Sequence, residues 1–151
     1  AREAKRMLAE DWGVQAAVWS VTSWYELRKD ALQADEHNFL HPEDERRVPY
    51  VTAKLQGAEG PFVATSDFEH QVQDAIARWV PGDYYTLGAD GFGFSPAARR
   101  FLKIDAASMA VRALQGLADQ GKIDRSIVKQ AIDKYDLFNP NAADPVPDDL
   151  A

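Results

Sequence analysis

Tyr84-Tyr-Thr-Leu-Gly-Ala-Asp-Gly-Phe-Gly-Phe-Ser95 reads as a strand, a glycine loop and the entry to a helix. Tyr84 to Leu87 holds aromatic and β-branched residues and no charge, the pattern of a short buried strand. Glycines at 88, 91 and 93 place three residues without a Cβ in six positions, which permits tight turns and close approach of another chain. Asp90, Phe92 and Phe94 alternate with them. The spacing matches neither G-x-G-x-x-G nor G-x-x-x-x-G-K-[ST], so it is not a phosphate-binding loop. A strand running into such a loop and then a helix is where open α/β sheets place function. The competing reading is a plain turn closed by Ser95 as a helix cap.

The composition bounds what this loop can serve. The chain has 151 residues, 46% of them hydrophobic and 27% charged, enough for one soluble domain with a sizeable core. A net charge of −7 argues against nucleic acid, whose phosphates need a clustered positive surface. The sequence contains no cysteine, which excludes disulfides, zinc–thiolate sites and cysteine nucleophiles. No run reaches the length of a membrane span and no signal-peptide pattern opens the chain, so the expected setting is cytoplasmic, away from membranes. Four tryptophans and seven phenylalanines imply either a well-filled core or an interface with another chain.

Outward from the loop, Pro61–Thr65 reads as a second strand. Ser66-Asp67 ends it and is expected to cap a helix over Phe68–Val80. Ala1–Trp12 is an amphipathic helix stopped by Gly13. Val14–Val21 is a near-continuous apolar run, expected as a strand covered on both faces. Ser23 and Glu26 have capping-box spacing and open a helix to Phe39. His41–Pro49 is a polar crossing with a helical turn expected at Glu43–Arg47, and Tyr50–Leu55 is a further helical turn. Pro96 sits at a helix N1 position before Ala97–Leu102. Ser108–Gly121 and Arg125–Tyr135, the latter capped by Asp124, are the final helices. Residues 1–138 are expected to form one domain and 139–151 a mobile tail, because Asn139–Ala151 lacks an apolar period.

Alternating strands and helices give the α/β class with a mostly parallel sheet. A helix at the start of such a unit implies that the sheet lacks its first strand.

Three clusters have chemistry to weigh. His37 and His41, spaced i and i+4, could share a metal, but no acid lies between them and Pro42 unwinds the turn, so helix-end histidines are the expectation. Glu43-Asp44-Glu45-Arg46-Arg47 reads as a solvated charged turn. Ser66, Asp67, Glu69 and His70 stand at a strand end, where capping accounts for the Ser and Asp. No serine occupies a G-x-S-x-G elbow.

Several strings together carry a resemblance: Trp19-Ser-Val-Thr-Ser-Trp24-Tyr-Glu-Leu, Gly57-Ala-Glu-Gly-Pro61, Val63-Ala-Thr-Ser-Asp67 and Leu87-Gly-Ala-Asp-Gly-Phe-Gly-Phe-Ser95. Arg99-Arg100-Phe101 and Gly121-Lys-Ile-Asp124 extend it. Over Ala1 to Leu137 the chain resembles the homodimeric, thiamine-diphosphate-dependent pyruvate dehydrogenases, the first component of the pyruvate dehydrogenase complex. The resemblance implies a three-layer α/β/α C-terminal domain of the transketolase type. It implies a parent that decarboxylates pyruvate on thiamine diphosphate with magnesium and acetylates the lipoyl group of the dihydrolipoamide acyltransferase component. Partners implied are a second copy of the parent chain and that acyltransferase.

The family's diphosphate motif, Gly-Asp-Gly with paired asparagines, is absent, so cofactor, metal and catalytic residues are expected outside this chain. In the family the loop serine is followed by Asp-Thr-Arg. Here Ser95 runs directly into Pro96-Ala-Ala-Arg-Arg, a loop three residues shorter. Asp90, Gly91, Phe92, Gly93, Phe94 and Ser95 form the candidate interface loop, with Asp90 expected to accept loop N–H groups and one of the phenylalanines to project outward. The alternatives are a non-catalytic interaction or regulatory module, or the C-terminal domain of a transketolase or another 2-oxo acid dehydrogenase.

Overall fold

A computed structural model describes residues 1–142. Its elements in chain order are α1 (Arg2–Trp12), α2 (Trp24–Leu40), α3 (Tyr50–Leu55), β1 (Phe62–Thr65), α4 (His70–Asp74), β2 (Tyr84–Leu87), α5 (Pro96–Phe101), α6 (Ala106–Asp119) and α7 (Arg125–Lys134), with 3-10 turns at Ala77–Trp79 and Pro140–Ala142. None of the described helices is long and apolar enough to cross a membrane.

The sheet consists of β1 and β2, paired in parallel with Phe62 opposite Tyr84 and Thr65 opposite Leu87. Side chains alternate across it. Phe62 and Tyr84 face Val51, Ile76 and Val80, with Trp24 and Leu27 of α2 packed behind. Val63 and Leu87 face Ile104 and Met109 on the other side. Helices therefore cover both faces, and both the α/β class read from the sequence and the layered arrangement implied by the resemblance hold. On the second face α6 comes unusually near. A Cβ on Gly116 would stand 2.6 Å from Pro61 and 2.9 Å from the Tyr85 ring, so only glycine lets this helix lie so close to the sheet.

The main core lies behind α6. Ala4, Met7 and Leu8 of α1 meet Ala107, Ala110, Val111 and Leu114 of α6 and Ala131 of α7. The i, i+3, i+4 spacing puts each set on one helical stripe. Asp105 caps α6 through Ser108 N–H, Asp124 caps α7 through Ser126 N–H, and Gly121 takes the left-handed conformation after α6 (φ 70°). A polar seam closes α1 onto α7: Trp12 Nε1 donates to Tyr135 Oη (2.8 Å), which donates to Asp11 (2.8 Å).

Three expectations need correction. Val14–Val21 is not a strand: it runs without regular structure, and Gln15–Thr22 make no backbone–backbone hydrogen bond. Val14 and Ala16 rest against the main core, while Trp19 is 65% exposed. A strand is a paired state, and among the described residues none pairs with this run, so the described sheet has two strands rather than three. The helix expected over Phe68–Val80 is broken into α4 and a 3-10 turn, with a turn at Ala75 and Ile76 between them (Ile76 φ −110°, ψ 0°). Ser66 does not cap it: its Oγ accepts the N–H of Phe68 (3.0 Å), a local turn. The turn expected at Glu43–Arg47 lies instead at Pro42–Asp44, closed by Asp44 N–H to His41 O (3.2 Å). Of the expected tail, Pro140–Ala142 form a 3-10 turn and 143–151 lie outside the described residues.

Candidate functional site: the carboxyl edge of the sheet

Because β1 and β2 are parallel, both strands deliver their following loops to one edge. Ser66 N–H donates to Leu87 O (3.2 Å) and Ala89 N–H to Phe68 O (2.8 Å), so the two loops leave the sheet side by side. Their closest approach is at Gly88, where a Cβ would stand 2.4 Å from the backbone N of His70. This is the glycine the site requires. Gly91 and Gly93 adopt no positive φ, and a Cβ on either would make ordinary contacts with Leu102 and Ile104. The chain bends at Asp90–Gly91, as expected of a turn, without drawing on glycine's left-handed conformation.

Three further hydrogen bonds join the loops. Asp90 accepts the backbone N–H of His70 (3.0 Å) and faces its ring Nδ1 (2.7 Å), while Gly88 N–H points at His70 Nε2 (3.1 Å). An N–H aimed at Nε2 requires that nitrogen to be an unprotonated acceptor, which assigns the neutral, Nδ1-protonated tautomer. Asp90 was expected to accept N–H groups of its own loop; it binds the neighbouring one instead. The His70 backbone N–H, then its ring, hold the Asp90 carboxyl below the ordinary carboxylate range.

Behind this clamp Gln73 is fully buried beside Ser66. The amide orientation that satisfies every atom turns its nitrogen to the carbonyls of Glu69 (3.0 Å) and His70 (2.9 Å) and its oxygen to Ser66. In front of it, Arg99 of α5 reaches Asp67 (3.1 Å) and the carbonyl of Gly93 (3.4 Å). Ser95 caps α5 by accepting Ala98 N–H (3.1 Å), as its position before Pro96 implies.

With both ends fixed, the middle of the loop presents two rings to solvent. Phe92 is 84% and Phe94 91% exposed, stacked on each other at 5.8 Å and 13°. Phe68, in the adjoining loop, is exposed too. Neither Phe92 nor Phe94 folds into the core.

The chemistry open to this edge is limited. A His–Asp pair resembles a general-base dyad, but in the neutral ring the accepting nitrogen is already engaged by Gly88 N–H. Asp90 turns both oxygens to His70. Among the described residues no group of three acidic or histidine side chains could hold a metal. The His37 and His41 rings lie 4.8 Å apart, tilted by 30°, and His37 Nε2 stands 3.6 Å from Asp44.

Sequence reading named His70 and Asp90 separately but did not join them. The available signal was positional: each follows its strand by a few residues, and parallel strand ends lie together. It also missed Arg100, buried at the root of α5, which pairs with Asp105 and donates to Tyr135 O (2.8 Å) and Asp136 O (3.3 Å). That network secures the helix on which Arg99 stands.

Residues 1–104 match the family described as Transketolase-like TK C-terminal domain. The chain is similar to the pyruvate dehydrogenase E1 component of Mycolicibacterium smegmatis, 47% identical over 146 residues, covering 95% of this chain and 16% of that relative. The Mycobacterium tuberculosis E1 component matches with the same identity and coverage, and the Escherichia coli K12 one at 39% over 150 residues, 94% of this chain and 17% of the relative. The chain thus spans about a sixth of the length of the curated relatives it matches. With a parallel sheet covered by helices on both faces and a sequence match over most of its length, the chain belongs to the family of transketolase-like C-terminal domains.

Proposed function

We propose that this chain is the C-terminal domain, residues 1–138 with a tail beyond, of a cytoplasmic pyruvate dehydrogenase. The parent decarboxylates pyruvate on thiamine diphosphate and magnesium and passes the acetyl group to the lipoyl arm of an acyltransferase. The observation that carries this reading is the 47% identity along 95% of the chain to a pyruvate dehydrogenase E1 component. Thiamine diphosphate supplies the carbanion chemistry when bound, and it is held by parts of the parent outside this chain. What these residues contribute is packing. The Asp90–Ser95 loop is a docking element, its exposed Phe92 and Phe94 seated against a second copy of the parent or its neighbouring domain.

The parent polypeptide, given thiamine diphosphate and magnesium, is expected to release carbon dioxide from pyruvate and acetylate a lipoyl domain. Preference for another 2-oxo acid or a ketose donor would reassign it to one of the alternative enzymes. The present chain is expected to show no specific heat on calorimetric titration with the cofactor and magnesium, and a micromolar Kd would overturn that division of labour. Phe92→Ala in the parent is expected to weaken dimerisation by about 2 kcal/mol or more in sedimentation, while this chain by itself melts unchanged. If the chain loses several degrees and the dimer constant stays fixed, the loop is not a docking element.

A further inference from the structure

We propose that His70 is a proton-sensitive latch on the docking loop: the neutral imidazole ties Gly88 to Asp90, and protonation releases the Gly88 end. The proposal rests on reading the loop as a docking element and adds its regulation. In the neutral ring one nitrogen donates and the other accepts, so His70 can serve Asp90 (2.7 Å) and Gly88 (3.1 Å) at once. A second proton makes Nε2 a donor facing another donor. The bond to Gly88 is lost while the contact to Asp90 becomes an ion pair, so the two effects oppose.

Burial decides between them. Gly88 is buried between Leu87 and Ala89, and His70 Nε2 is the acceptor its N–H points at. An unsatisfied buried N–H carries the full desolvation penalty. The Asp90 side chain is 59% exposed, and an exposed ion pair gains little. Release at Gly88 therefore outweighs tightening at Asp90.

The surrounding charges leave this balance in place. Asp67 and Glu69 flank the ring in sequence, and Asp67 is paired with Arg99 of α5. Asp74 of α4 accepts from Thr86 Oγ1 (2.7 Å), and the loop after β2 contributes Asp90. The His70 backbone itself is fixed, because its N–H is held by Asp90 and its atoms lie against Gly88.

Nuclear magnetic resonance on this chain tests the latch. At pH 8 the His70 ring nitrogens should report the Nδ1-protonated tautomer. Between pH 8 and 5, where histidines titrate, the Gly88 amide protection factor, corrected for intrinsic rate, should fall about tenfold with the same midpoint as the ring. In His70→Gln, whose amide oxygen can accept from Gly88 and takes no proton, protection should be flat over that range. An Nε2-protonated ring at pH 8, or Gly88 protection unchanged through the wild-type titration, overturns the proposal without any variant having to fold. These readouts involve no association, so they fail independently of the docking reading, which Phe92→Ala tests in the parent.

Discussion

Val14–Val21 and Tyr84–Leu87 are both apolar, free of charge and rich in β-branched or aromatic residues, yet only the second is a strand. Tyr84–Leu87 lies beside β1, and its alternate side chains find separate cores on the two faces of the sheet. Val14–Val21 has an α1–α6 core under its first residues and, among the described residues, no paired backbone neighbour. The difference teaches that an extended, apolar sequence supplies a readiness to pair, and that the hydrogen-bond ladder comes from the partner. An unpaired stretch of this kind keeps its side chains exposed, here Val18, Trp19 and Val21.

The sharpest way to break this comparison is truncation in both stretches. Leu87→Ala removes a side chain that is 3% exposed and is expected to cost about 2–5 kcal/mol in denaturant unfolding. Trp19→Ser is expected to stay within about 0.5 kcal/mol of the parent chain. Equal losses would mean that Val14–Val21 is packed in solution as a strand would be.

A smaller effect probes where β2 hands over to the loop. Gly88→Ala drives a Cβ into the backbone of Glu69 and His70, atoms that cannot rotate away. The expected loss is about 1–3 kcal/mol, with faster exchange of the Ala89 amide that bonds Phe68 O. Gly91→Ala, with only Leu102 side-chain atoms near its Cβ, is the control and should be close to neutral. Similar losses at both positions would show that loop flexibility, not the close approach, is what glycine provides.

The smallest effect concerns Asp90. Its carboxyl is held below the ordinary range in the fold by the His70 N–H and ring. A depressed carboxyl stabilises the fold at pH above its unfolded value and loses that contribution as the pH falls through the folded one. Thermal melts should therefore show wild type losing slightly more Tm than Asp90→Asn on acidification below the usual carboxylate range. Parallel curves would remove Asp90 from the account of the loop. Because the group is exposed to solvent, the difference should shrink in high salt.

Much of the candidate site was legible as residues and little of it as contacts. The Gly88-Ala-Asp-Gly-Phe92 string located the loop, and Ser95-Pro96 located the helix behind it, because capping and N1 proline are local rules. The pairing of His70 with Asp90, twenty residues apart, and of Arg99 with Asp67, thirty-two apart, had no local signature. Both depend on which strand ends lie side by side.

What the sequence determined by itself were the features fixed within a turn or two of chain: α2 and its Ser23 cap, α6 and α7 with their aspartate caps, the stop at Gly13, and the apolar stripes that choose the inward faces. These depend on propensity, capping and periodicity, which act at short range. Tertiary structure alone decided that Val14–Val21 would remain unpaired, that the helix after β1 would break at Ile76, that Gly88 rather than Gly91 or Gly93 would be the indispensable glycine, and that Phe92 and Phe94 would point outward. Each of these turns on a partner distant in the chain or on none being there, and neither backbone pairing nor burial is a property of a residue until the surface it meets is in place.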